Sequence, residues 1–333
     1  MSQIKAWTYK GAGYPNNLTL SDVPAPTSPP SPTSLVIQLH AAALNPVDIQ
    51  LMNFPIWHLP WLAFPKKPGC DFAGTVLSAG SAVSSQYQKG DAVFGLAMDP
   101  FGNGTLAEVI TVDTAKACLL KKPEKWSWAQ AAALPLVWLT SRTCVACVEP
   151  YVKNSKVVVL GGSSATGMYS VWLAKKRGWE VLSTCSAKNA DFVRGMGATH
   201  IVDYTKENVR EKVQEFQPDA IIDCVGGTEA LGIAKRYVTI VGDKTGREAM
   251  GGSMIYLWHP KMVLRWALGR LGWGEVYDCI MLDGKKEYLE EALELPDDKV
   301  IIDSTYLFED TKRGYERLNE GHTKGKVVVE VKD

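Results

Sequence analysis

The sequence predicts an α/β protein, a β-rich part combined with a Rossmann domain, a doubly wound parallel sheet. Three observations carry this. The apolar run Val157-Val158-Val159-Leu160 ends in Gly161-Gly162-Ser163-Ser164-Ala165-Thr166-Gly167 and passes straight into an apolar helix. Strands and helices then alternate up to Val241, a spacing that requires right-handed crossovers and a parallel sheet. Residues 4–120 instead carry short apolar runs broken by Gly, Pro, Asn and Asp, the pattern of a β-rich region.

In the β-rich part the runs Leu35–Leu39, Phe72–Leu77, Ala92–Phe94 and Ala107–Val112 read as strands, and the Pro- and Ser-dense stretch from Pro24 to Ser34 reads as an exposed loop. The period changes near Ser127. Ala129–Ala133 and Val137–Val148 look helical, with Pro135 as the break between them. The parallel-sheet strands are expected at Lys156–Leu160, Glu180–Thr184, His200–Val202, Asp219–Asp223 and Tyr237–Val241. The helices between them are expected near Thr166–Arg177, Ala190–Met196, Asn208–Phe216 and Glu229–Ala234. A last helix at Lys286–Leu293 and strands at Val300–Ile302 and Val327–Val331 complete the chain, the final strand returning to the N-terminal β region.

At 333 residues, 46% hydrophobic and 22% charged, the chain has the size and composition of a globular protein of two domains. Lys plus Arg equals Asp plus Glu at 36 each, so no global field invites nucleic acid or an anionic membrane. The start, Met1 to Trp7, lacks the apolar core of a signal peptide, and no apolar run reaches membrane-spanning length. Seven scattered cysteines suit reduced thiols and a cytoplasmic protein. Cys144-x-x-Cys147 has no second ligand pair nearby and reads as helix packing rather than a metal or redox motif.

The turn after Leu160 is the candidate phosphate site, because backbone N–H groups and the positive end of a helix dipole converge there. Its fit to G-x-G-x-x-G is Gly162-x-Ser164-x-x-Gly167, with serine in the middle place. Gly162, Ser163, Ser164, Ala165 and Thr166 are therefore the pyrophosphate candidates. About 20 residues on, an NAD site carries an acidic side chain for the adenosine ribose. Here the second strand ends Thr184-Cys185-Ser186-Ala187-Lys188-Asn189, with no carboxylate. Ser186, Lys188 and Asn189 can donate to a 2′-phosphate that a carboxylate would repel, which favours NADPH.

Together with motifs upstream, these residues resemble the medium-chain dehydrogenase/reductase superfamily, in its zinc-free quinone oxidoreductase and enoyl reductase branch. The marks are Leu44-Asn45-Pro46-Val47-Asp48, Gly69-Cys70-Asp71-Phe72-Ala73-Gly74, Lys89-Gly90-Asp91-Ala92-Val93-Phe94-Gly95 and Gly104-Thr105-Leu106-Ala107-Glu108. Pro135-Leu136-Val137-Trp138-Leu139-Thr140, Gly197-Ala198-Thr199-His200-Ile201-Val202-Asp203-Tyr204 and Gly325-Lys326-Val327-Val328 follow in order. The phosphate turn and the Thr-Cys-Ser-x-x-Asn segment look most like fungal members, including enoyl reductases acting in trans on polyketides. The resemblance implies a GroES-like catalytic domain from both chain ends, 1–124 and 285–333, with a Rossmann NADP-binding domain, 125–284, inserted.

It further implies hydride transfer from NADPH to the β carbon of an activated alkene, or to a quinone. Asn45, Pro46, Val47 and Asp48 would border the nicotinamide ribose with Thr140 beside it. Tyr204 would lie near the adenosine phosphate, Val241 and Gly242 would flank the nicotinamide, and Lys324 would close on the cofactor. Each has a plainer reading: Asn45-Pro46 as a turn, Asp48 as a helix cap, Tyr204 as a surface aromatic. Zinc-dependent relatives place Cys, a His-Glu pair and a further Cys or Asp around their metal. Asn45 and Cys70-Asp71 stand at these places here, so no metal is expected.

The candidate catalytic residues are Asn45, Thr140 and His58. His58 stands in for a tyrosine that several enoyl reductases carry about ten residues past the Asn-Pro motif; water or Tyr256 are the other proton sources. Phe54, Trp57, Trp61, Phe64, Trp138, Tyr256 and Trp258 suit a bulky, apolar, conjugated substrate, or else core packing. Residues 260–273 read as an amphipathic helix that lids the pocket, packs on a partner or meets a membrane surface. The expected assembly is a monomer or homodimer. A non-enzymatic NADPH-binding structural or trafficking protein and a zinc-type alcohol dehydrogenase are the rival readings.

Overall fold

The computed structural model describes residues 2–54, 59, 62, 65–99, 103–243 and 259–331. Its contacts divide the chain into two units. The first comprises the described residues up to Leu136 and from Gly284 onward; the second runs from Val137 to Asp283.

The first unit holds the strands β1 (Gln3–Tyr9), β2 (Leu18–Pro24), β3 (Ser34–Leu44), β4 (Asp71–Ala79), β5 (Ala92–Leu96), β6 (Val109–Asp113) and β7 (Cys118–Lys121), and the short helices α1 (Pro46–Met52) and α2 (Trp128–Ala133). The helix α3 (Pro135–Val148) carries the chain onward, with Pro135 at its first position, where a missing N–H costs nothing. β1 and β2 pair as an antiparallel hairpin, and β3 is the spine of a larger sheet, paired with β4 and β6. Alternate residues Leu35, Ile37 and Leu39 enter one core with Phe72, Val76, Val93 and Ile110, as the period of two requires. Gly74 lies against this spine: a Cβ there would stand 2.2 Å from the Gln38 carbonyl oxygen.

The second unit contains β8 (Lys156–Leu160), α4 (Ala165–Lys176), β9 (Glu180–Cys185), α5 (Ala190–Met196), β10 (His200–Asp203), α6 (Val209–Phe216), β11 (Ala220–Asp223), β12 (Arg236–Thr239), α7 (Pro260–Arg270) and β13 (Val276–Cys279). Its sheet has the order β10-β9-β8-β11-β12-β13 and every pairing is parallel. The expected Rossmann alternation is therefore present. Val157–Val159 and Ala220–Ile222 are fully buried, the mark of central parallel strands covered on both faces. The order reverses between β8 and β11, the place where open α/β sheets bind ligands.

Two expectations are corrected in this unit, and one strand is added. The helix expected at Glu229–Ala234 does not form; residues 228–235 run as turns. Gly226, Gly227 and Gly232 have φ of 84°, 105° and 75°, left-handed values that no helix can absorb. β12 stops at Thr239, so Val241 and Gly242 belong to the loop beyond it. β13 is an added edge strand, held by Tyr277 stacking on Tyr237 at 5.8 Å between ring centroids.

The chain closes in the first unit with α8 (Lys286–Glu290), β14 (Ile302–Leu307), α9 (Thr311–Glu320) and β15 (Lys326–Glu330). β15 lies between β14 and β3, parallel to one and antiparallel to the other, so the C-terminal strand does return to the N-terminal sheet. Its register sets Val327 opposite Leu44. A second core forms around Ala42, Leu44, Ile49, Met52, Tyr315 and Val327. No helix among the described residues is long and apolar enough to cross a membrane.

α7, the amphipathic segment, packs on its own unit. Met262 joins the core, and Gly269 abuts the next strand so closely that a Cβ would stand 2.4 Å from the Glu275 carbonyl oxygen. Arg265 clasps Asp243 through both nitrogens at 2.9 and 3.2 Å and covers the Tyr277 ring.

Candidate functional site

The second unit builds a phosphate-sized turn between β8 and α4. Gly161 takes φ of 81° and its N–H donates to the Thr184 hydroxyl at 2.8 Å. Ser164 is the N-cap of α4: its hydroxyl accepts the Gly167 N–H at 3.0 Å and donates to the Gly161 carbonyl at 2.8 Å. Glycine is needed at two places. A Cβ on Gly162 would meet the Ser183 hydroxyl at 2.1 Å, and one on Gly167 would meet the Gly161 carbonyl oxygen at 2.1 Å. The Ala165 and Thr166 N–H groups open the twelve-residue α4 and have no partner among the described residues. They point donors and the helix dipole out of the turn.

At the end of β9, Ser186 and Asn189 are half-buried and Lys188 is exposed. The Thr184 carbonyl accepts the Gly162 N–H at 3.0 Å, which ties this tip to the phosphate turn. Tyr204, 50% exposed, follows the neighbouring strand β10. The same strand delivers a carboxylate that reading one strand at a time missed. Asp203 is held below the usual carboxylate range by the Thr205 hydroxyl and N–H, with a smaller pull from the Ala187 N–H. Beyond β12, the Val241 and Gly242 N–H groups donate to the Thr239 hydroxyl at 3.2 and 3.0 Å, and that hydroxyl donates to Asp223 at 2.9 Å. Asp223 also accepts the Val225 and Gly226 N–H groups at 3.0 and 2.8 Å. One buried carboxylate thus shapes the loops at the ends of β11 and β12, the first of which lies beside β8. Burial raises its pKa against those bonds.

In the first unit a compact polar cluster gathers at one end of the sheet. Asn45 follows β3, Asp71 opens β4 and Lys326 opens β15; their exposures are 0%, 0% and 3%. The Lys326 ammonium bonds to the Asn45 side-chain oxygen and lies 3.0 Å from Asp71 Oδ2. Asn45 Nδ2 donates to Asp71 Oδ2 at 2.9 Å and to the Ala43 carbonyl at 3.3 Å. Asp71 Oδ1 accepts the Leu136 N–H at 2.8 Å.

Asp48 is the third residue of α1 and closes a capping box on the N-cap Asn45: its Oδ2 accepts the Asn45 N–H at 2.9 Å and the Tyr315 hydroxyl at 3.2 Å, while Oδ1 accepts the Cys70 thiol at 3.4 Å. Burial pushes Asp48 from an ordinary 3.8 up to about 7, against the pull of the Asn45 N–H and Lys326. Burial also holds the Cys70 thiol and the Tyr315 hydroxyl well above their ordinary values, with Asp48 adding to both.

The consequence for Asn45-Pro46-Val47-Asp48 is a division of labour. Asn45 and Asp48 are buried and committed to their neighbours; Pro46 is exposed and Val47 half-exposed. Lys324 is exposed, its N–H fixed by Asp303 at 2.8 Å. Thr140 sits on α3 at 9% exposure. Trp138 takes the packing role, fully buried against Tyr169 and Trp172, and Phe54 packs against the Ala42–Val327 core. His58, Trp57, Trp61, Phe64, Tyr256 and Trp258 lie outside the described residues. Sequence reasoning placed Asp71 and Lys326 in family motifs without giving them a role in the site, and it missed Tyr315. A lone cation at the head of a valine strand was the available signal.

A β-rich unit completed by the C-terminal strand, and a Rossmann unit with a phosphate turn, define a two-domain dehydrogenase architecture. The family described as alcohol dehydrogenase GroES-like domain matches residues 31–124, and that described as zinc-binding dehydrogenase matches residues 196–329. The mitochondrial NAD(P)H oxidoreductase RTN4IP1 of Mus musculus is 30% identical over 329 residues, covering 90% of this chain and 82% of the relative. The trans-enoyl reductase pgmF of Aspergillus terreus is 28% identical over 353 residues, covering 99% and 97%. The structure of the quinone oxidoreductase from Coxiella burnetii superposes with a TM-score of 0.82 at 24% identity, covering 99% of this chain and all of that one. The chain belongs to the medium-chain dehydrogenase/reductase superfamily of oxidoreductases.

Proposed function

We propose that the protein is an NADPH-dependent, metal-independent reductase of an activated C=C bond or a quinone carried on a bulky apolar substrate. The observation that carries the reading is the turn from Gly161 to Gly167, with the Ala165 and Thr166 N–H groups uncommitted at the sheet's reversal point. These residues fit a pyrophosphate. Ser186 and Lys188 supply donors for a 2′-phosphate, and Asp203 beside them turns its Oδ1 to the Thr205 N–H and hydroxyl at 3.0 and 2.7 Å. When bound, the dihydronicotinamide supplies a hydride, and His58, Tyr256 or water is the candidate source of the proton that completes the reduction.

The chain's own residues bind and orient. Ser164 holds the turn in shape, the first turn of α4 neutralises phosphate charge, and the Asp223–Thr239 pair fixes the loop bearing Val241 and Gly242. On the family resemblance Asn45, Pro46, Val47 and Asp48 border the ribose; burial of Asn45 and Asp48 leaves Pro46 and Val47 as the accessible edge. Thr140 and Lys324 remain candidates for cofactor contact.

The donor set does not suit zinc. Asn45 Oδ1 and Asp71 Oδ2 are taken by an ammonium, and the Cys70 thiol is held protonated by burial, whereas zinc needs a thiolate. Reduction of a conjugated alkene or quinone can proceed without a Lewis acid. The seven cysteines are all free thiols, which suits a reducing compartment.

A cofactor-oxidation screen tests the reading, using NADPH and NADH against medium and long α,β-unsaturated ketones, thioesters and quinones. Turnover with NADPH and at least one acceptor class supports it. Tight NADPH binding with no turnover of any acceptor leaves a binding protein instead.

A further inference from the structure

We propose that Lys326 is the positioning residue of the α1 site, a built-in cation whose ammonium orients Asn45 and through it the Pro46-Val47 edge. The inference rests on the reductase reading for what that edge touches. Its geometry rests on the first unit alone.

The register of β15 on β3, Val327 opposite Leu44, brings Lys326 up to Asn45 across 281 residues of sequence. The next three residues of β15, Val327-Val328-Val329, are each fully buried. A buried ion pair is costly to desolvate, and apolar side chains of similar volume often serve stability as well or better. The ammonium therefore needs another reason to be there. Its contacts supply one. By fixing the Asn45 oxygen it turns Nδ2 onto Asp71 and the Ala43 carbonyl, so every polar atom of that side chain is spent.

The Asn45 backbone is fixed as well, its N–H by Asp48 and its carbonyl by the Asp48 N–H at 3.1 Å. Extended Asn45, φ −133° and ψ 149°, then launches Pro46 as the first residue of α1. The groups facing Asp48 are Asn45 and its own helix, Cys70 and Asp71 from the start of β4, Tyr315 from α9, Lys326 from β15 and Tyr9 from β1. Among these described groups Lys326 is the one cation. The same ammonium sits on two oxygens that a divalent cation would need, in keeping with the proposed metal independence.

The test compares wild type with Lys326→Met, Lys326→Arg and the double variant Lys326→Met with Asp71→Asn. The double variant removes both charges, so no lone carboxylate is left buried as in the single one. Thermal unfolding checks the fold, fluorescence titration gives the Kd for NADPH, and steady-state kinetics with an acceptor from the screen give kcat and KM. A misplaced edge predicts about 100-fold loss of kcat in the folded double variant. Kd for NADPH, set by the phosphate turn, should move less than about threefold, and Lys326→Arg should recover to within about tenfold of wild type. A folded double variant with wild-type kcat overturns the inference and leaves the reductase reading intact. Wild-type protein that binds no NADPH overturns the reductase reading first.

Discussion

Replacing Asp48 by Asn should remove most of one pH-dependent component of stability. Folded Asp48 releases its proton at about 7 against an ordinary 3.8, because it is fully buried among Asn45, Cys70 and Tyr315. A raised value means the folded state holds a proton that the unfolded state has released. The stabilisation is complete below the ordinary value and is lost as pH rises through about 7. Each pH unit between the two is worth about 1.4 kcal/mol. Between about pH 5.5 and about pH 8 the wild type should therefore lose about 2 kcal/mol relative to Asp48→Asn, with the curve flat above. At the acid end the variant should start about 1 kcal/mol lower, for the hydrogen bond an amide cannot reproduce. Urea unfolding at the two pH values, followed by circular dichroism and tryptophan fluorescence, measures the difference. Other titrating groups cancel in the comparison. Parallel losses in both proteins would mean that Asp48 is ionised throughout, and the account of its burial would fall.

Gly167→Ala should weaken NADPH binding at least about tenfold by calorimetry, since a Cβ 2.1 Å from the Gly161 carbonyl oxygen must push the helix start from the turn. Lys188→Glu should cost NADPH about tenfold or more in Kd and leave NADH nearly unchanged, because only the former offers a 2′-phosphate to repel. Ile37→Ala should cost about 3 kcal/mol by urea unfolding, from a fully buried position on the central strand, without altering Kd for NADPH.

What the sequence makes legible follows from range. β8, α4 and α5 lie within one or two residues of their expected bounds because their signals are local: valine runs, a serine N-cap, and Gly197 ending α5 at φ 119°. Residues 228–235 deceive because Ala230, Leu231 and Ala234 repeat at helical spacing, while the glycines that forbid a helix sit just before the segment and within it. β13 hides because Val-Tyr-Asp-Cys is too mixed to read as a strand; it becomes one by pairing with β12 and answering Arg236 with Asp278. In the site, the phosphate turn is contiguous and readable. The Asn45–Asp71–Lys326 cluster is not, since strand register, and not spacing, brings its members together. The Asp203 carboxylate escaped for the same reason, arriving from β10 at a tip that belongs to β9.

Deuterium transfer tests the central claim most directly. Protein dialysed against a chelator is incubated with NADPH deuterated at the transferable C4 position and a conjugated ketone from the screen, and the product is analysed by NMR. The account predicts one deuterium at the β carbon of the saturated product, at an undiminished rate. Product without deuterium, or activity that returns only when zinc is restored, would contradict it.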